Sequence, residues 1–486
     1  VPKKKTPSFI VEYPIIVDSQ QERELNARFN AGFRLLNAIQ SEALIRMELV
    51  RNSEAWAEAK KLPRRIKNAL GEPINNPERA KAFEAAKKQY RFTDFDLQAY
   101  GSLVAKNSVW IDAKLDAQSI QKIGTRVFKA VNKILLGKAK KVRFKNNRSF
   151  SSMEGKQITT GIRVDRKTET FVWRNIKCRL IIDWLDPCEK HGWEQEWKYA
   201  RIVRRELNGK TRWWVQIICE GIPYQGRKNT QTKDDLVSID LNICNVAYVS
   251  SSHAELKPLA DKVPTFSQEI KGIQRKQDRS RRVNNPDNFN PDDIVLKGKK
   301  QGRKVKRTGQ IKRGKKLKWL ESRNYKRLGR KRRELERRKA AYTKSQNRAL
   351  ANEILRKGGK NVNLENVSVK GWQKRYGKAI SAKSPGFFQS ELIRKAESAG
   401  GLVNKYSTQK TACSQTHLDG QRVKKKLSER IHRDRTGVRM QQRDLFSAYL
   451  GLFVNQDGYL SVEDARVGYP RSEPILTAAW RRSVKA

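Results

Sequence analysis

The stretch Val237-Ser238-Ile239-Asp240-Leu241-Asn242 constrains the fold more than any other segment of the chain. It reads as a buried strand, then a tight polar turn, then a second strand, Ile243-Cys244-Asn245-Val246-Ala247-Tyr248-Val249. A lone charge inside such an apolar run costs several kcal/mol unless a partner neutralises it. Asp240 is therefore either the cap of a turn or one member of an ionised group. Residues far downstream decide between the two.

Two further acids stand in comparable settings. Glu365 closes the strand-like run Asn361-Val362-Asn363-Leu364, after a break at Gly358-Gly359. Asp444 precedes Leu445, Ala448, Tyr449, Leu452 and Phe453, the stripe of a packed helix, which places it in the first turn. Carboxylates inside one strand, at the end of another and at a helix start form a set of hard oxygen ligands. Such a set suits two Mg²⁺ ions about 4 Å apart that clamp a phosphodiester.

In this order the three segments resemble the RuvC nuclease domain, an RNase H-like fold, of the transposon-encoded TnpB proteins and the small type V CRISPR effectors. The matching residues are Ile239-Asp240-Leu241-Asn242 with Asn245-Val246-Ala247, then Leu364-Glu365-Asn366-Val367-Ser368-Val369-Lys370, then Arg443-Asp444-Leu445-Phe446-Ser447-Ala448. Asp278-Arg279-Ser280-Arg281-Arg282, Asn285-Pro286-Asp287-Asn288-Phe289 and the spaced Trp319, Ser322 and Tyr325 follow the same pattern. The likeness covers roughly residues 237–454; the N-terminal half shares only the layout. It implies an RNA-guided DNA endonuclease whose catalytic residues Asp240, Glu365 and Asp444 hold Mg²⁺, with Mn²⁺ as a substitute. The implied partners are a guide RNA, from a transposon end or a CRISPR array, and target double-stranded DNA. Base pairing then reads the target sequence, while the protein holds the heteroduplex by shape and backbone charge.

Two departures from the family pattern stand out. Asn242 occupies a place where the family prefers Gly; the tolerance of Asn for left-handed backbone is expected to preserve the turn. The family also carries a zinc ribbon with two Cys-x-x-Cys knuckles before the last acid. Here Gln409–Gln442 holds only Cys413, His417 and His432, with Asp434 nearby. Cys413 and His417 are the candidate zinc ligands, completed by His432 and Asp434, but the spacing is irregular. The expected state is a ribbon-shaped loop held by packing and salt links, with zinc dispensable.

Composition narrows the class of partner. The 486 residues leave room for about three domains. Against 50 Asp+Glu stand 105 Lys+Arg, a net charge of +55 that self-repels unless a polyanion neutralises it. No apolar run approaches the ~20 residues of a spanning helix, and no signal-peptide pattern follows Val1-Pro2-Lys3-Lys4-Lys5. Nucleic acid is the natural partner, no membrane is expected, and a monomer in the prokaryotic cytoplasm, associated with the nucleoid, fits. The five cysteines are scattered without a Cys-x-x-Cys pair, as for reduced intracellular thiols.

In chain order, a strand over 8–17 leads to a capping box at Ser19 and Glu22 and a helix with Leu25, Phe29, Phe33 and Leu36 on one face. Helical patterns continue to Leu136, with Gly137 as C-cap. Alternating runs follow, ending in a hairpin turned by Asn208-Gly209, in which one of Trp213 and Trp214 faces the core. The expected architecture is a multidomain α+β chain. An N-terminal wedge β-barrel (first strand in 1–18, remainder in 138–232) is interrupted by a helical recognition lobe, 19–137. A RuvC α/β nuclease domain (233–405) follows, with a degenerate zinc-ribbon insertion that binds target nucleic acid (406–440), then the third acid and a tail (441–486).

From Leu296 to Ala340 there are 22 Lys/Arg against three acids, a density that favours phosphate binding over a solvated face. The expected contacts are Lys299, Arg303, Lys304, Lys312, Arg313, Lys315, Lys316, Arg327, Arg330, Arg333 and Arg337. Much of Gln274–Lys318 is expected to lack structure without a ligand. The helix beyond it should pack along a seam of Leu328, Leu335, Tyr342 and Ala349. Phe387 and Phe388 are expected in the core. The alternative to a nuclease is a guide-dependent DNA binder that does not cut, a repressor or targeting module. A DDE transposase or a junction resolvase uses the same fold and metals, but the N-terminal half speaks against both.

Overall fold

The computed structural model describes residues 7–68, 71, 73–226, 235–297, 303–314, 317–426 and 428–485. The chain forms two compact units, Val1–Tyr224 and Gln225–Ala486.

The first unit opens with β1 (Ser8–Pro14) and a 34-residue helix, α1 (Ser19–Asn52). The capping box lies one residue earlier than expected. Asp18, in extended backbone, accepts from the amides of Gln20 and Gln21, and the Gln21 side chain accepts from the Asp18 amide. The lobe continues through α2 (Glu54–Lys61), the ribbon β2 (Arg65–Lys67) and β3 (Pro73–Asn75), α3 (Pro77–Gln89), α4 (Asp94–Lys106), α5 (Val109–Lys114) and α6 (Ala117–Leu135). Gly137 follows in the left-handed region, φ +67°, as its cap position requires.

Then come β4 (Ser152–Glu154), β5 (Ile162–Asp165), β6 (Thr170–Trp173), β7 (Ile176–Arg179), α7 (Pro187–Glu194), β8 (Trp197–Leu207) and β9 (Lys210–Glu220). These described strands do not close into a barrel. They form one antiparallel sheet ordered β1-β9-β8-β4 and another ordered β5-β6-β7. The end of β1 joins them at the Ile15–Leu180 bridge, but the three-residue β4 at the far edge is not paired to β5. Asn208 and Gly209 both have positive φ (48° and 76°), as a type I′ turn demands. Trp213 packs edge-on against Phe29, while half-buried Trp214 lies under the Arg205 guanidinium.

One buried cation ties α1 to this sheet system. Arg28, 1% exposed, donates to the Trp173 carbonyl and to Asn175 Oδ1 and sits 4.9 Å over the Trp173 ring. Arg28→Met should leave both acceptors orphaned at a cost of about 2–4 kcal/mol. Urea unfolding of the full chain, followed by tryptophan fluorescence, measures it, and an unchanged midpoint would show that the ties carry no stability.

The second unit is built on a five-stranded sheet ordered β12-β11-β10-β15-β16. Strands β10 (Leu236–Leu241), β11 (Asn245–Ser250) and β12 (Ala254–Pro258) form an antiparallel meander. Asn242 closes the β10–β11 turn through its amide to the Asn245 carbonyl (3.0 Å) and does so without positive φ, so left-handed backbone is not needed there.

The segment expected to lack structure is folded where it is described. Helix α8 (Ser267–Asn284) is followed by the hairpin strands β13 (Asp293–Lys297) and β14 (Arg303–Arg307). Arg281 stacks on Trp319 (3.6 Å) and Arg282 on Phe289 (4.4 Å), and the two rings meet edge-on. Asn285 exchanges hydrogen bonds with Leu320, and Ser280 bonds Ser322, the N-cap of the next helix. Arginine planes on aromatic faces make a small core that a count of apolar residues misses.

That next helix, α9 (Arg323–Gly358), does not pack on the expected seam. Leu335 is buried, but Leu328 is half-buried and Tyr342 and Ala349 are exposed; the buried positions drift through Thr343, Asn347, Leu350, Ala351, Ile354 and Leu355. A straight helix turns every 3.6 residues, so a strict seven-residue seam rotates off the contact face by about 20° per heptad. At its end Gly358 and Gly359 allow close approach to β10. A Cβ on Gly358 would stand 2.7 Å from Val237, and Gly359 has φ +117°.

Strand β15 (Asn361–Glu365) then pairs parallel to β10, and β16 (Val403–Tyr406) parallel to β15, with α10 (Val369–Lys383) and α11 (Pro385–Ser398) between them. Phe388 is fully buried, whereas half-buried Phe387 lies beneath Lys344 and Arg348. The unit ends with α12 (Thr408–Thr411), the short pair β17 (Ile431–His432) and β18 (Gln441–Gln442), α13 (Arg443–Leu450) and α14 (Val462–Lys485). No helix among the described residues is long and apolar enough to cross a membrane.

Candidate active site and nucleic-acid surface

The period of two along β10 sorts its side chains. Val237, Ile239 and Leu241 join one core with Leu350, Ile354 and Phe388, which leaves Ser238 and Asp240 on the opposite face. Strand β15 runs beside it with Ile239 opposite Leu364, so Asp240 and Glu365 sit one step beyond that pair on neighbouring strands. On this second face lies α13, with Leu445, Ala448 and Tyr449 in the core and Asp444 in its first turn. The Gln442 side chain caps the helix by accepting from the Leu445 amide (2.7 Å). The helix start favours a negative charge at Asp444.

Asp240 is buried, and its carboxyl is pushed well above the usual carboxylate range. Burial is the main cause, and the charges of Glu365 and Asp444 add to it, against a hydrogen bond from Ser447. Glu365 is pushed up to about 7 by burial. Asp444 Oδ1 accepts from Arg443 Nε (3.2 Å) and Nη2 (3.0 Å). Its Oδ2 is buried without a hydrogen bond, 3.5 Å from Arg430 Nη1. Asp240 and Glu365 are held toward their protonated forms, and Asp444, set against Arg443 and Arg430, keeps one oxygen buried without a hydrogen bond, so the all-oxygen donor set can take up further positive charge. A divalent cation supplies such a charge.

Residues beneath the acids hold the arrangement. Asn363 donates to the carbonyls of Gly451 (2.8 Å) and Val454 (2.9 Å), tying the end of α13 to β15. Buried Tyr406 stands opposite Glu365 on β16. Neither residue shows in the sequence as part of a site, because a buried Asn and a strand-end Tyr are common in any core. Arg443 is visible only through its place beside Asp444.

The proposed zinc pair is not brought together as expected. Cys413 lies in the core with Tyr406, its thiol pushed up to about 12 by burial and the nearby Glu365 charge. His417 instead meets His432 and Asp434, with one ligand-type atom of each within 4.8 Å of the others. In this cluster His432 Nε2 lies 2.9 Å from Asp434 Oδ2, and His417 Nε2 is buried without a hydrogen-bond partner.

Of the expected nucleic-acid contacts, Lys299, Lys315 and Lys316 lie outside the described residues, and Arg303 and Lys304 are placed on β14 by their backbone alone. Lys312, Arg313, Arg327, Arg330 and Arg337 are exposed, and Arg333 is half-buried. Arg337 is already paired with Glu334 (2.6 Å), and Arg327 bonds Asn324.

No family model matches the chain, and no curated protein does. Among solved structures it is similar to one described as the cryo-EM structure of the Cas12f1-sgRNA-target DNA complex, with 10% identity, a TM-score of 0.40, and coverage of 92% of this chain and 98% of that one. It is also similar to a CRISPR-Cas12f ternary complex, with 11% identity, a TM-score of 0.26, and coverage of 88% and 81%.

Proposed function

We propose that the chain is an RNA-guided DNA endonuclease whose single hydrolytic site is formed by Asp240, Glu365 and Asp444. The observation that carries this reading is the convergence of the three acids on one face of the β10–β15 pair, where two of them are held against ionisation. The donor set is all carboxylate oxygen, as Mg²⁺ or Mn²⁺ requires. Bound there, the ions would activate a water and stabilise the leaving 3′-oxygen. Asp240 and Glu365 would present their oxygens from adjacent strands, and Asp444 from the helix start. Asn363 and the Gln442 cap keep that helix in register with the sheet.

The guide-RNA part of the reading rests on the ordered motifs and on the charge of +55. RNA that co-purifies with the expressed protein tests it: a defined transcript is expected, and a random population would remove the guide. A guide-dependent binder that does not cut is the second reading. The arginines already set against Asp444 favour it, since they neutralise that carboxylate without a metal.

The basic surface makes its own prediction. Replacing Lys312, Arg313, Arg327 and Arg330 by Ala should reduce the slope of log K against log salt by roughly 0.7–0.9 for each phosphate that the variant no longer neutralises. Filter binding over a salt series measures the slope. An unchanged value would mean that these cations face only solvent.

A further inference from the structure

We infer that the described residues 406–426 and 428–440 are locked without a metal ion, by a lysine–histidine–aspartate relay that fastens this segment to the helix carrying Asp444. The direction of each hydrogen bond carries the inference. An ammonium group has only hydrogens to give, so where Lys425 Nζ meets His432 Nδ1 the ring nitrogen accepts. The hydrogen of that ring is therefore on Nε2, which donates to Asp434 Oδ2 at 2.9 Å. Asp434 also accepts from the Leu418 amide (3.0 Å), the Thr436 amide (3.1 Å) and the Thr436 hydroxyl (2.8 Å). His417 Nδ1 is engaged by the Arg435 amide (3.1 Å).

A metal-bound imidazole needs the reverse polarity: a lone pair toward the ion and a hydrogen on the far nitrogen, given to an acceptor. The far nitrogen of His432 faces a donor instead, and an ion between His432 and Asp434 would also meet the charge of Lys425. In the relay, Lys425 itself supplies the positive charge. Cys413 cannot complete a ligand set from its place in the Tyr406 core.

The relay is joined to α13 through its histidine. The His432 ring stacks on Phe446, 3.7 Å away and 16° from parallel, two residues past Asp444. Alongside, the Arg443 amide donates to the Arg430 carbonyl (2.8 Å), and Arg443 Nη1 to the Glu429 carbonyl (2.8 Å). The lock does not depend on what the acids do.

The test uses the full chain expressed with added zinc. Elemental analysis should find well under one zinc per chain, and a zinc-selective chelator should leave the melting midpoint unmoved. In Lys425→Met, amide exchange should speed across Arg443–Leu450 and not across β10; Lys425→Arg should keep the protection. Stoichiometric zinc that disappears in His432→Ala overturns the metal-free lock. Wild-type protection of α13 in Lys425→Met overturns the relay. Should Lys425→Met not fold, the zinc content of the wild type and the protection in Lys425→Arg still decide.

Discussion

Asp240→Ala should reduce guided DNA cleavage in Mg²⁺ to background, a loss on the order of 10⁴-fold, while nucleic-acid affinity holds or rises slightly. The substitution removes the buried carboxyl on which the charges of Glu365 and Asp444 both act. Removing it relieves like-charge repulsion, so folding should not suffer, and the exposed cations of α9 are untouched. Glu365→Ala and Asp444→Ala should behave alike in cleavage. Asp444→Ala also strips Arg443 of a two-point partner and should cost stability besides. Cleavage and binding are measured at the same salt. A wild type that binds its guided target but never cuts it in Mg²⁺ or Mn²⁺ would make the binder reading correct. Cutting that survives in Asp240→Ala would relocate the site.

Gly451→Ala should lower both stability and cleavage although it touches none of the acids. Its Cβ would stand 2.2 Å from Ser238 Oγ and 2.5 Å from the Tyr406 hydroxyl, both on buried residues. The backbone cannot retreat easily, because Asn363 holds the Gly451 carbonyl. Overpacking of this kind costs about 1–3 kcal/mol, and two buried neighbours place it at the upper end. Ser238 lies two residues before Asp240 on the same face of β10, so the displacement should reach the site and lower cleavage as well. Thermal melting reads the cost. Ser238→Ala in the same chain should recover part of it through a non-additive coupling. A neutral Gly451→Ala would mean that helix and sheet do not approach as closely as the structure places them.

What the sequence disclosed follows from which forces act locally. The β10 strand, the Asn208-Gly209 hairpin, the burial of one of the adjacent Trp213 and Trp214 and of Phe388, and the first-turn position of Asp444 are set by short-range periodicity and turn chemistry, and they stand in the structure. The open N-terminal sheets were not legible, because whether two edges meet depends on strand twist and length rather than on alternation. The stretch after Gln274 looked ligand-dependent because its ties are Arg–aromatic stacks and Asn–backbone bonds, which no apolar pattern records. The α9 seam failed for a geometric reason, a period of seven imposed on a helix of 3.6. In the 406–440 segment the residue types left a zinc site open beside a metal-free loop, and the metal-free reading rests on hydrogen-bond directions that no sequence pattern records.

The parallel pairing of β10 with β15 has a consequence for biosynthesis. Between Asp240 and Glu365 the ribosome must deliver α8, the β13–β14 hairpin and all of α9, and Asp444 emerges later still. Contacts this distant along the chain form late, since loop closure precedes any reward from the pairing. The three acids are thus kept apart on the nascent chain, and they come together only after the cationic α9 surface has been made.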